Sequence, residues 1–295
     1  MIYLLISILC TAGLVLMFKV FAMRGIPIFQ AIVFNYISAT ICGIIFLPDK
    51  TPLLTGSIFS HSWLPFALLL GTMFIMVFNL TSMATVRYGV STASVAMKLG
   101  LVFPVLLAFL FYGEPFNFLK LLGILFAFAA VILSSLKDET QTPNHKSAFA
   151  FLPLLVFFGS GACDSFTQFV SKKYVGTDGM EEFSLFLFVA AGAIGLVMFA
   201  VQLINRKSVF NFQSLIFGTI LGVINYFSFL FLLKALSNIS WGSSVVFPVS
   251  NLGTVLVATV AGILFFKERI SKINLLGLSF ALISITLIIL SNITW

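Results

Sequence analysis

Charge is what this sequence has least of. Only 8% of its 295 residues are Asp, Glu, Lys or Arg, and just nine are acids, against about a quarter charged in a soluble globular domain. Two histidines and three cysteines complete a thin stock of catalytic and metal-ligating groups. Cys10, Cys42 and Cys163 sit inside apolar runs with no CxxC spacing, which speaks against a zinc site or disulfide framework and for packing. His61 and His145 fall in expected loops, and the chain has no HExxH, nucleophile elbow or Walker motif, so neither an enzyme, a cofactor, a metal nor direct use of ATP is expected. A net charge of +7 would suggest nucleic acid in a soluble chain. Here Lys19, Arg24, Arg87, Lys137, Arg206 and Lys267 stand at the ends of apolar runs, where they anchor helices at a membrane interface, and no nucleic-acid partner is expected.

What is abundant is apolar surface: 60% of residues are hydrophobic and 36 are Phe, giving a mean hydropathy of +1.16. No aqueous core of this size hides that much. The composition predicts an all-α, polytopic membrane protein with lipid as its solvent. A crossing needs about 20 apolar residues, and breaks at Pro, Gly and charged clusters divide the chain into helices near 2–21, 26–47, 63–86, 91–112, 116–136, 148–173, 183–204, 212–236, 241–266 and 272–292. The first run, Ile2 to Phe21, has no charged leader and no small-residue cleavage site, and is expected to be a retained helix. The polar stretch Lys137 to Ser147 reads as a linker between halves 1–136 and 148–295.

The halves echo each other. Phe111, Glu114, Leu121, Leu122, Gly123, Phe126, Ala127 and Leu133 recur 154 positions later, without a gap, as Phe265, Glu268, Leu275, Leu276, Gly277, Phe280, Ala281 and Leu287. Five helices per half is an odd number, so the second repeat enters the membrane inverted, as in many secondary transporters. Gly123 with Ala127, and Gly277 with Ala281, share helix faces and invite close helix packing. Glu114 and Glu268 precede these helices and are expected to cap them.

Several of these residues resemble a known family. Gly13 followed by Lys19, the helix end Phe111-Tyr112-Gly113-Glu114, its counterpart Phe265-Phe266-Lys267-Glu268-Arg269, and Leu-Leu-Gly opening two later helices are similar to the EamA branch of the drug/metabolite transporter superfamily. The resemblance covers nearly the whole chain. It implies ten helices in two inverted five-helix repeats around a central cavity, and movement of small metabolites by alternating access. Many members carry an Arg early in the second helix where this chain has Asn35, so an anion contact made through that Arg does not carry over.

Ionisable groups inside a bilayer are expensive and mark function by default. Lys98 lies seven residues into the helix expected at 91–112; it either holds a substrate carboxylate or phosphate, acts as a gating charge, or snorkels to the interface. Asp164 lies in a polar, small-residue stretch with Gly159, Gly161, Cys163, Ser165 and Gln168. It is a candidate to carry a coupling proton, bind a substrate amine or pair with Lys98, although the expected orientations put the two apart. Asn35, Tyr36, Asn79, Ser94, Asn225, Tyr226 and Asn251 are further candidates, each able to line a cavity or to join helices by hydrogen bonds. Pro104 and Pro248 interrupt expected helices, freeing carbonyls and allowing a kink.

Basic residues number ten in odd-numbered connections and five in even-numbered ones, which places the termini outside the cytoplasm; the family resemblance implies cytoplasmic termini. Either way, ten crossings put both on one side. The expected function is secondary transport, with export the expected direction, of an amino acid, nucleoside or related metabolite, by a monomer in the plasma (inner) membrane with protons as a possible coupling ion. A structural or regulatory membrane subunit is the alternative.

Overall fold

The computed structural model describes residues 1–113, 117–135, 151–176, 179–206, 209–238, 243–266 and 272–293, with side chains at 82, 85–95, 134–135, 238, 243, 274 and 292–293 outside that description. Among them no strand occurs. The helices are α1 (Ile2–Arg24), α2 (Ile28–Ile45), the short α3 (Thr51–Thr55), α4 (Leu64–Leu99), α5 (Val102–Tyr112), α6 (Phe118–Ser135), α7 (Phe151–Val170), α8 (Met180–Ile204), α9 (Phe212–Asn238), α10 (Ser243–Phe266) and α11 (Lys272–Ile293). Among the described residues, six segments are long and apolar enough to cross a membrane: Ile2–Arg24, Ile28–Ile45, Leu64–Thr81, Met180–Ile204, Phe212–Ser237 and Ser244–Phe266. Ala96–Tyr112, Phe118–Leu133 and Leu275–Ser291 are shorter apolar helices. The expected linker at 137–147 lies outside the described residues.

Helix ends follow local chemistry. Gly25 closes α1 at φ 62°, its amide donating to the Phe21 carbonyl, a backbone conformation a side chain would strain. Asn117 Oδ1 accepts from the Lys120 amide at 2.8 Å and Asn211 Oδ1 from the Ser214 amide at 3.0 Å, so asparagines cap α6 and α9. Glu114 and Glu268, expected in capping roles, lie outside the described residues.

The sequence predicts a turn near residues 87–90; the backbone instead stays helical from Leu64 to Leu99. No proline falls between Phe66 and Leu99, and Gly89 costs only about 1 kcal/mol. At 1.5 Å per residue the helix is about 54 Å long, well beyond the ~30 Å hydrocarbon core, and Leu64–Thr81 within it is long and apolar enough to cross a membrane. The break comes later, at Gly100-Leu101, where the Gly100 amide bonds the Met97 carbonyl and the Leu101 amide the Lys98 carbonyl in tight three-residue turns. Pro104 is thus the third residue of α5, where its missing N–H leaves no gap. Pro248 does lie inside α10, as expected. The same four residues, Val-Phe-Pro-Val, stand at 102–105 and 246–249, and both runs fall early in a helix.

The chain forms two compact units. Unit 1 comprises Met1–Asn79 and Phe166–Asn238; unit 2 comprises Leu80–Ser165 and Ile239–Trp295. In unit 1, α9 packs on α1 and α2, and α2 on α8. Polar stitches join them: Ser7 Oγ donates to the Ser228 carbonyl at 2.9 Å, Ser38 Oγ to the Thr219 carbonyl at 2.9 Å, and buried Gln30 bonds the Val209 carbonyl and the Asn211 amide. Gly218 and Gly222 let α9 ride on the α2 backbone; a Cβ on Gly218 would fall 2.5 Å from the Ala31 carbonyl.

Unit 2 is organised by α6 against α11. A Cβ on Gly123 would meet Ile288 Cγ1 at 2.6 Å, and Ser284 Oγ donates to the Gly123 carbonyl at 2.6 Å. Ala127 and Ala281 are both buried in one apolar cluster, and Phe126 meets Phe280 edge-on at 5.2 Å. Two pairs matched at an interval of 154, Phe126 with Phe280 and Ala127 with Ala281, therefore come together, and small side chains allow the close approach.

Candidate functional site

In unit 2 the end of α4 and the middle of α7 are pressed together by small residues. A Cβ on Gly100 would fall 2.8 Å from the Gly161 amide, and Ser160 Oγ donates to the Met97 carbonyl at 3.0 Å. This contact fixes two charged residues, Lys98 next to Met97 and Asp164 one turn beyond Ser160. Lys98 occupies the last turn of α4, where a cation complements the negative end of the helix dipole. Its Nζ donates to Asn251 Oδ1 of α10 at 2.9 Å. Asp164 and Lys98 lie within electrostatic reach of one another, and both side chains are only half-buried.

The Lys98–Asn251 pairing is a juxtaposition the sequence does not announce, since Asn251 is 153 positions away. Sequence orientation set Asp164 and Lys98 apart. Lys98 stands at the end of a helix that began at Leu64, not inside one beginning at 91, and lies within electrostatic reach of Asp164. Ser165 Oγ, beside Asp164, is buried without a hydrogen-bond partner. Ser94 has its side chain outside the described residues.

The other candidates lie in unit 1. Asn79 Nδ2 bonds the Ile75 carbonyl one turn back at 2.7 Å, which occupies one donor within its own helix. Asn225 is half-buried on α9. Asn35, Tyr36 and Tyr226 are almost wholly buried. Tyr36 and Tyr226 both approach Phe188 of α8, with ring centroids 6.2 Å away in each case. Phe188 was not legible as a site residue among 36 phenylalanines. At one end of this cluster Lys234 of α9 pairs with Glu181 of α8 at 2.6 Å.

Long apolar helices, with half-buried opposite charges beside a broken helix, define an integral membrane protein of the polytopic helical class. The model of the EamA-like transporter family matches residues 1–136 and 151–290, and the chain belongs to that family. By family it is a membrane transporter, and its families' members are transporters rather than enzymes. An uncharacterized protein of Haemophilus influenzae is 32% identical over 286 residues, covering 96% of this chain and 95% of its own. A protein of known crystal structure shares the fold at a TM-score of 0.71 and 14% identity, over 99% of this chain and 96% of its own.

Proposed function

We propose that this chain is a secondary transporter that moves a small polar metabolite, an amino acid, nucleoside or related compound, out across the plasma (inner) membrane by alternating access. The observation that carries it is the hydrogen bond from Lys98 to Asn251 at a broken helix, with Asp164 in reach. Transporters place substrate and coupling-ion sites at such breaks, where helix ends and freed carbonyls face the ligand. Lys98 receives a carboxylate or phosphate, exchanging a neutral amide acceptor for an anion, which is the stronger charge-assisted bond. Asp164 receives a substrate amine or a coupling proton. The two charges attract without an ion pair to neutralise them, so a ligand bearing one or both charges completes the site.

The architecture of this proposal is ten crossings in two inverted five-helix repeats, 1–136 and 148–295, acting as a monomer. It is supported by the residues matched at an interval of 154 and by the facing of Phe126 and Phe280. The test is uptake and counterflow in liposomes containing only this protein, with amino acids, nucleosides, organic acids and sugar phosphates in turn. Saturable movement of one class, lost in Lys98→Ala, is the expected result. No movement of any class in well-folded protein would sink the proposal.

A further inference from the structure

Unit 1 carries an exposed cation that the Lys98 region does not use. Beyond Val170 the chain turns through Ser171–Val175 in the wider π-helical winding, and Gly176 follows at φ 63°. Such winding is rare and recurs at functional sites. Lys172 and Lys173 stand exposed on this turn, where cations also complement the negative end of α7. Lys173 Nζ lies over two rings, 5.4 Å from the centroids of both Phe169 and Tyr174. The two acids that open α8 are engaged elsewhere, Glu181 with Lys234 at 2.6 Å and Glu182 within electrostatic reach of His61. Among the described residues no acid pairs with Lys173.

The turn lies at the level where two membrane-length segments begin. Phe66, the third residue of Leu64–Thr81, stacks on Tyr174 with centroids 4.6 Å apart and meets Phe166 at 6.0 Å. The Val175 carbonyl is 3.1 Å from where a Cβ on Gly179, just before Met180–Ile204, would fall, and Trp63 Nε1 is 3.4 Å from the same point. An indole and a phenol gathered where such segments begin mark the membrane–water interface, the level of lipid headgroups. Phe169 and Phe166 lie four and seven residues back along α7, hence deeper in the apolar layer. Rings attract an ammonium modestly and leave its charge in place, whereas a phosphate makes the stronger, charge-assisted bond. Charge at the surface above half-buried rings matches the order of groups in a phospholipid.

We propose that Lys173 and Tyr174 bind the phosphate of an anionic glycerophospholipid, with the rings of Phe66, Phe166 and Phe169 against the start of its acyl chains. Lys173 Nζ and the Tyr174 hydroxyl donate to phosphate oxygens, and Lys172 adds to the local positive potential. A zwitterionic headgroup brings an ammonium of its own, which Lys173 repels, so the site prefers lipids of net negative charge. It does not rest on the transport proposal.

The test is titration of the full chain in detergent with phosphatidylglycerol or phosphatidylcholine of matched acyl chains, the first bound lipid being followed by native mass spectrometry. Phosphatidylglycerol is expected to bind about fivefold more tightly, the effect of one lysine at a lipid surface. Lys173→Ala is expected to erase that preference and Lys173→Arg to keep it; the position is exposed, so both variants fold. Tyr174→Phe, which keeps the ring, is expected to weaken phosphatidylglycerol about threefold. Lys50→Ala removes a positive charge from the connection between α2 and α3 and is expected to leave the preference unchanged. Equal affinities for the two lipids, or a preference that survives Lys173→Ala, would overturn the site. A preference lost equally in Lys50→Ala would overturn it in favour of general surface charge, and displacement of the lipid by soluble glycerol phosphate in favour of a soluble-phosphate site. A chain with this lipid preference that moves no solute leaves the site standing and removes the transport proposal.

Discussion

Lys98 Nζ and Asn251 Oδ1, 153 positions apart in the chain, meet at 2.9 Å. A half-buried ammonium held by a neutral amide keeps its charge available to an anion. Asn251→Leu leaves that ammonium short of an acceptor and is expected to cost about 1.5–3 kcal/mol, read as a lower melting temperature in detergent. Asn251→Asp keeps the acceptor and supplies a charge. It is expected to preserve folding but abolish transport, because Lys98 is then neutralised from within; wild-type transport in that variant would remove Lys98 as the anion site.

Asp164 of α7 lies within electrostatic reach of Lys98. If it carries the coupling proton, Asp164→Asn retains counterflow exchange but no longer responds to an imposed pH gradient. Proteoliposomes with and without a gradient measure this directly. A gradient response of wild-type size in the variant would place the proton elsewhere or replace proton coupling with simple exchange.

Gly222 and Gly13 make a controlled pair within unit 1. A Cβ on Gly222 would press on the Asn35 carbonyl and lie 2.7 Å from Ser38 Cβ, whereas one on Gly13 would meet Ile224 Cγ2 at 3.5 Å, an ordinary contact. Gly222→Ala is expected to destabilise by about 1–3 kcal/mol through overpacking. Gly13→Ala is expected to be neutral or stabilising by up to about 1 kcal/mol, from helix propensity. Thermal unfolding of the two variants side by side checks the contrast.

Asp49 lies in the connection between α2 and α3, outside the spans, and accepts a hydrogen bond from the Thr51 amide at 2.8 Å. That bond and the Thr51 side chain hold its carboxyl below the usual aspartate value. A depressed folded-state value means the stabilisation is fully present above the unfolded value and is lost as pH falls through the folded one. Carboxyl NMR titration is expected to give a midpoint below that of an unstructured aspartate, and Thr51→Val is expected to raise it.

The proposed ten crossings put both termini on the same side of the membrane. Reporters fused before Met1 and after Trp295 are expected to give the same signal, cytoplasmic or not. Opposite signals would mean an odd number of crossings, and the inverted-repeat architecture would fall.

Much of the fold was legible because it follows from composition and interval. Lys98 and Asp164 stood out as charges among apolar neighbours, and the facing of α6 on α11 was implicit in Gly123, Ala127 and Ala281. The sequence drew attention to Glu114, which lies outside the described residues, while Asn117, three residues on, makes the bond observed at α6. The turn expected near Gly89 was not found because glycine weakens a helix without breaking it, whereas the break at Gly100 coincides with tight packing against Gly161.

By itself, then, the sequence determined the solvent of this protein, its helical class and its internal repetition, since the shortage of charge and the periodic excess of apolar residues leave no other way to satisfy backbone polar groups in lipid. The tertiary structure decided which polar residues meet. Pairings such as Lys98 with Asn251, and Phe188 with both tyrosines, depend on helix rotation and on approach distances set by missing Cβ atoms. Those distances arise from packing across sequence gaps that reach 221 residues between Ser7 and Ser228, where local periodicity carries no information.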